Sequence, residues 1–326
     1  MLILTKAIFA IMIGFLSSVV LGLFIIPLLK KINIRQNISV FVGENHRAKS
    51  GTPTMGGLIF ILPTVLVTLL LILFKKLELS WSLGIILLVF VCYSIIGFLD
   101  DYLSVKRGKN EGLKDGQKLI AQVLVSILFF YIYIKNGGQT ALVVSTLGIN
   151  IEMGWIYGLF ILFVLVGSSN AVNLTDGLDG LAGSLSTVAL IAFALISLMV
   201  GYNDIGIFTL VLVGSIMGFL VYNIYPAKVF MGDTGSLALG AVMASIAIIV
   251  HREVTLLVVA FIFVIETLSV ILQVIWMFLF HKKLFLMTPL HHHFEKLGWD
   301  EPDIVKLFLV VGLLLAMAGI FFGVWL

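Results

Sequence analysis

Residues 173–180 read NLTDGLDG, and they interrupt two long apolar runs, 155–172 and 181–200, with an amide and two carboxylates. Ionised groups are costly inside hydrocarbon, so Asn173, Asp176 and Asp179 must face water at a membrane surface or line a polar cavity. Gly177, Gly180 and Gly183 remove side chains at regular spacing, as a closely approaching backbone or ligand requires. The stretch is expected to open a helix, whose free N–H groups favour anions. A plain alternative is that Asp176 caps that helix and Asp179 sits in its first turn.

Working outward, 61% of the 326 residues are hydrophobic and 11% are charged, with a mean hydropathy of +1.19. Soluble domains carry about 25% charged residues, so a membrane protein with many spans is implied. At roughly 20 apolar residues per crossing there are ten spans, near 7–29, 55–74, 81–99, 117–134, 155–172, 181–200, 205–222, 235–250, 254–280 and 305–326. Backbone groups must be paired within lipid, so the expected fold is all-α, a polytopic integral membrane protein with about ten transmembrane helices. The first run is too long for a signal-peptide core and is read as a span. Cys92 is the single cysteine and lies in an apolar run, which excludes a disulfide framework and a cysteine-based metal site.

Ten spans put both termini on one side. Of 20 Lys and Arg residues, only Lys6, Lys75, Lys76, Lys135 and Arg252 fall on the termini's face. The other fifteen lie in or beside loops 30–54, 100–118, 173–180, 223–234 and 281–306, so those loops are expected in the cytoplasm and both termini outside. Twelve of 17 acidic residues share that face, although orientation does not demand it. Chemistry there is the simplest reason. The chain reads as a single transmembrane domain, 1–326, with its active site built from those five loops. Residues 135–154 form the one long outer connection, read as a small hairpin.

The other loops carry matching chemistry. Adjacent Asp100 and Asp101 are expected at a helix C-terminus, where the dipole disfavours them unless a metal ion, a proton or a lysine such as Lys118 compensates. In FMGDTGS, 230–236, Asp233 stands between Gly232 and Gly235 at a helix start, a turn suited to holding Mg²⁺ against a diphosphate. His291, His292 and His293 are consecutive and cannot all face one ion, so phosphate contact and proton transfer fit them better than zinc. Lys49 and Thr52 lie in HRAKSGTPTMGG, 46–57, an anion-binding composition that lacks the Walker A order. Glu266 and Gln273 are polar at membrane depth, and either a functional site or a protonated Glu paired across helices accounts for them. The 27-residue run around them exceeds a bilayer and is expected to bend, tilt or emerge.

KSGTPTMGG (49–57), the Asp100–Asp101 pair, NLTDGLDG, FMGDTGS and PLHHHFE (289–295) together resemble the polyprenyl-phosphate N-acetylhexosamine-1-phosphate transferases, in order, spacing and sidedness along the whole chain. PLHHHFE favours the muramoyl branch over the GlcNAc-1-phosphate branch. The resemblance implies transfer of phospho-MurNAc-pentapeptide from UDP-MurNAc-pentapeptide to undecaprenyl phosphate, with Mg²⁺ as cofactor, in a bacterial plasma membrane. It implies Asp233 as Mg²⁺ ligand, Asp100 as base with Asp101 beside it, and Lys118 near the phosphates. Lys49, Thr52, Asn173, Asp176, Gly177, Leu178, Asp179, Asn223 and Phe230 are implied for the nucleoside and diphosphate pocket, and His291, His292 and His293 for the phosphate or sugar end. A homodimer is implied by the resemblance alone, and no nucleic acid is expected as a partner. The rival readings are a transferase using UDP-GlcNAc and, from another class, a transporter with Glu266 and Gln273 on its pathway.

Overall fold

The computed structural model describes residues 2–32, 51–107, 112–144 and 148–325. The first element is α1, Leu2–Lys31, followed by α2, Leu58–Leu73, α3, Trp81–Arg107, and α4, Asp115–Lys135. Strands β1, Ala141–Val144, and β2, Ile149–Glu152, pair antiparallel with Ala141 opposite Glu152, so the expected hairpin is present. Then come α5, Ile156–Thr175, α6, Leu181–Met199, α7, Asn203–Asn223, and α8, Gly232–Ile249. The chain finishes with α9, Glu253–Val259, α10, Phe261–Phe280, α11, Leu290–Lys296, and α12, Glu301–Trp325. Among the described residues nine helices are long and apolar enough to span a bilayer, and α2, of 16 residues, is the tenth and shorter one. The chain is an all-α, multi-pass membrane protein.

Helices α7 and α8 form the centre, and nearly every residue of α8 is buried. Small residues make that possible, because van der Waals contact between close backbones holds helices together in lipid. A Cβ at Gly240 would meet the Ser168 carbonyl oxygen of α5 at 2.1 Å, and one at Gly214 would meet the Ile11 carbonyl of α1 at 2.1 Å. Helices α1, α4, α10 and α12 keep long exposed apolar faces, as lipid-facing elements should.

Two expectations about boundaries need correction, and the bend expected in the over-long run 254–280 is present. Helix α3 continues to Arg107, so Asp100 and Asp101 lie two turns inside it and not at its C-terminus. Asn173 belongs to the last turn of α5, and the helix after NLTDGLDG begins only at Leu181, because Gly180 adopts a left-handed φ of 79° that ends the turn. The long run at 254–280 is broken at Ala260 into α9 and α10. Breaking it turns an over-long span into a short helix and one bilayer-length helix.

Polar loops gather at the two ends of the bundle. At one end residues 53–57, 112–118, 173–180, 224–233 and 284–301 contact one another and the α3 carboxylates. At the other, Ile3 and Lys6 line one cavity with Lys76, Ser80 and Asp204, while Arg252 Nε donates to the Gly323 carbonyl at 2.6 Å. Both ends of the described chain therefore lie away from the five-loop end.

Candidate active site

The centre of the five-loop end is the first turn of α8. Its backbone N–H groups need acceptors, and Asp101 from α3 supplies them. The Asp101 carboxylate, only 8% exposed, accepts from Asp233 N at 3.2 Å, from Thr234 N at 2.9 Å and from Thr234 Oγ1 at 2.6 Å. Close approach depends on glycine: a Cβ at Gly97 would stand 2.0 Å from the Asp233 carbonyl oxygen, and one at Gly232 would stand 2.5 Å from Asp101 Oδ2. Asp101 thus caps a helix from a neighbouring helix, and its compensating partner is a helix dipole.

Freed from capping, the Asp233 side chain looks outward into the site. Lys118 Nζ donates to its Oδ2, and Asn173 Nδ2 donates to its Oδ1 at 2.7 Å. Asn173 Nδ2 also reaches Ser236 Oγ at 2.9 Å. Asp100 lies against Asp233 and accepts from Leu113 N at 2.9 Å. Asp176, in the loop after α5, feels Asp233, Asp101 and Asp179. Burial first, and then those carboxylates, push its carboxyl up to about 8. Among the described residues Asp100, Asp101 and Asp233 all act on the ammonium of Lys118, and Asp176 feels Asp101 and Asp233, so crowded acidic groups are the electrostatic signature of the site.

The remaining NLTDGLDG residues are used as fasteners. Asp179 Oδ2 accepts from Ala227 N at 2.9 Å, and Asp179 N donates to Glu301 Oε1 at 2.5 Å. Asn223 is buried, accepts from Gly180 N at 3.2 Å and donates to the Val229 carbonyl at 3.0 Å. Leu178 is buried beneath the loop. These contacts lock loops 176–180 and 224–231 together, a role that their polarity alone did not disclose. Gly177 is open for a different reason: a Cβ there would fall 2.3 Å from His291 Nε2.

The GTPTMGG turn docks backbone to backbone on FMGDTGS. Phe230 N donates to the Pro53 carbonyl at 2.8 Å, Gly56 N to the Phe230 carbonyl at 2.8 Å and Gly57 N to the Met231 carbonyl at 2.9 Å. Thr52 lies in this turn, but Thr54 is the buried hydroxyl facing the Asp101–Gly232 contact. Sequence reasoning missed Thr54, whose only signal was its place inside a glycine-flanked turn. Lys49 lies outside the described residues.

The histidines diverge as their spacing requires. His291 is 1% exposed and faces Glu266, with Nδ1 and Oε2 3.2 Å apart. His292 Nδ1 meets Glu295 Oε2 at 2.5 Å, and His293 Nδ1 accepts from Leu286 N at 3.1 Å. Burial holds the His291 imidazole below its usual range. Gln273 Oε1 accepts from Leu284 N at 3.0 Å and Phe285 N at 2.9 Å, while its amide donates to the Phe285 carbonyl at 3.2 Å. Both polar residues of α10 therefore hold the histidine segment in place.

Among the described residues no three His, Cys, Asp or Glu side chains converge as a complete metal site. Such incompleteness fits Mg²⁺, which takes one or two carboxylates and draws its other oxygens from phosphate and water. Asp233 is the residue suited to it, since Oδ2 already receives a cation, the ammonium of Lys118.

Comparison with known proteins agrees with this geometry. The glycosyl transferase family 4 profile matches residues 82–251, and the phospho-N-acetylmuramoyl-pentapeptide-transferase signature 1 matches residues 49–61. The phospho-N-acetylmuramoyl-pentapeptide-transferases of Bacillus licheniformis and Bacillus subtilis are each 45% identical over 318 residues, which cover 98% of this chain and 98% of each relative. That of a Geobacillus species is 45% identical over 317 residues. With end-to-end similarity at this level and a signature on the very turn that docks against Asp233's loop, the chain belongs to the phospho-N-acetylmuramoyl-pentapeptide-transferase family.

Proposed function

We propose that this protein transfers phospho-MurNAc-pentapeptide from its UDP carrier to undecaprenyl phosphate, releasing UMP and forming lipid I. The observation that carries the reading is the convergence of Asp100 from α3, Lys118 from α4, Asn173 and Asp176 from the end of α5, and Asp233 from α8 onto one charge-dense point. Phosphoryl transfer asks chiefly for positioning and for neutralisation of charge, and this cluster is arranged to do both. Mg²⁺ held by Asp233 would neutralise the diphosphate oxygens. Lys118 would then turn from Asp233 to a phosphate oxygen, and Asn173 would keep Asp233 oriented.

Asp100 accepts from Leu113 N and lies against Asp233, so its carboxylate stands beside the proposed metal ligand, where it would take a proton from the acceptor phosphate. Direct attack by that phosphate is favoured over a covalent phospho-enzyme, since the acceptor is already a competent nucleophile. Loops 176–180 and 224–231, fastened by Asn223 and Asp179, would form the nucleoside wall with Phe230, Lys49 and Thr52. His291, His292 and His293 would border the sugar end. The excess of Lys and Arg at this end supports a cytoplasmic active site in a bacterial plasma membrane, with both termini outside.

Purified protein offered undecaprenyl phosphate, Mg²⁺ and either UDP-MurNAc-pentapeptide or UDP-GlcNAc tests the assignment. UMP release with the muramoyl donor is expected. Release with UDP-GlcNAc alone would overturn the donor, and ion flux without UMP would restore the transporter reading.

A further inference from the structure

Glu266 lies on α10 with no exposed surface, and its two oxygens both serve one residue. Oε1 accepts from His291 N at 3.1 Å and Oε2 stands 3.2 Å from His291 Nδ1. The backbone contact fixes where α11 begins, and the ring contact fixes the imidazole's rotation. His291 Nε2 is buried with no hydrogen-bond partner among the described residues, and it faces the bare backbone of Gly177. A buried orphan nitrogen is costly, so its persistence beside a glycine points to a group supplied by a ligand. Since imidazole is a stronger base than carboxylate, the shared proton belongs on Nδ1.

We infer that Glu266 is a positioning residue: it holds His291 with the proton on Nδ1 and the Nε2 lone pair turned towards Gly177, as acceptor for a hydroxyl or protonated phosphate oxygen of the substrate. The arrangement is a carboxylate–histidine pair whose carboxylate never touches substrate. Around it stand His292 and Glu295 on the same short helix and Asp176 and Asp179 on the facing loop. This inference rests on the proposed transferase reading for its substrate, but its geometry can be read without turnover.

The full-length chain in detergent, labelled with ¹⁵N-histidine, contains six histidines, and the spectrum of His291→Ala identifies the signal of interest. In the wild type, His291 Nε2 is expected with the shift of an unprotonated ring nitrogen. In Glu266→Gln the amide oxygen must still accept from His291 N, so its NH₂ faces Nδ1 and drives the proton to Nε2. Kinetically, Glu266→Gln is expected to lower kcat by about 10- to 100-fold, the range typical of such supporting carboxylates, with KM little changed. Glu266→Asp, which keeps the carboxylate, is expected to recover more activity than Gln. A proton on Nε2 in the wild type, or a Gln variant more active than Asp, would overturn the inference. The spectrum decides it even where Glu266→Gln fails to fold or the donor assignment proves wrong.

Discussion

The two ends of the helical bundle both bury acidic side chains, but they treat them differently. At the end with the chain termini, Glu253 and Asp204 are held by neutral hydroxyl donors: Tyr157 donates to Glu253 Oε1, whose Oε2 is buried without a partner among the described residues, and Ser80 donates to Asp204. At the five-loop end, Asp100, Asp101 and Asp233 share the ammonium of Lys118 and one helix N-terminus, and Asp176 is crowded against Asp101 and Asp233. Pairwise satisfaction is what stability asks of buried polar groups. Crowded like charge is what the proposed Mg²⁺ and diphosphate would require of this end. The contrast separates an end that holds the bundle together from the end proposed to carry the chemistry.

The largest expected effect breaks the crowded end at its centre. Asp233→Asn should reduce UMP release by about 10³-fold, the scale of losing a principal charge-stabilising group. Its unfolding temperature should hold or rise, because the substitution relieves repulsion at the site. Falling activity together with falling stability would place Asp233 among the structural carboxylates instead.

The adjacent pair in α3 sharpens the same contrast within two residues. Asp100→Asn should cut turnover by about 10²-fold with little change in unfolding temperature. Asp101→Asn should cost stability, about 1–3 kcal/mol, because it weakens the acceptors that Asp233 N and Thr234 N–H and O–H rely on. Thermal unfolding and UMP release measured on both variants would reveal the split, and identical behaviour would erase it.

Asp176 links crowding to pH. Its folded pKa, about 8, lies above its ordinary 3.8, so the folded state binds the proton more tightly than the unfolded state. Its contribution to stability is therefore full below about pH 4 and lost as pH rises through about 8. The ligand-free protein should unfold at a lower temperature at pH 8 than at pH 5, and Asp176→Asn should flatten that slope. Mg²⁺ should flatten it too, through the cluster that Asp176 senses.

The smallest effect belongs to the opposite end. Glu253→Gln keeps a partner for the Tyr157 hydroxyl, so UMP release should stay within about twofold and stability within about 1 kcal/mol. A large loss of turnover would mean that the two ends are coupled.

Much of the working end was legible as chemistry in loops. Asp233, Lys118, Asn173 and Asp176 stood out because charge and amide groups are rare in a chain this apolar, and the structure brings them together. The division of labour was less legible. Asp179 and Asn223 read as ligand-binding groups, yet their hydrogen bonds to Ala227, Gly180 and Val229 tie loop to loop. Glu266 and Gln273 offered two readings, and each turns out to hold the segment that carries the histidines. Thr54 passed unnoticed beside Thr52 because no local pattern separates two threonines in one turn.

Apolar run lengths, charge asymmetry and loop composition are local quantities, and they suffice for an all-α membrane protein with its chemistry at one end, since bilayer thickness and backbone pairing leave few alternatives. Direction is not local. Adjacent residues on a helix point about 100° apart, so which of Asp100 and Asp101 caps α8 depends on how α3 packs against it. The same holds for His291, whose Nε2 finds room only because Gly177, more than a hundred residues earlier, carries no side chain.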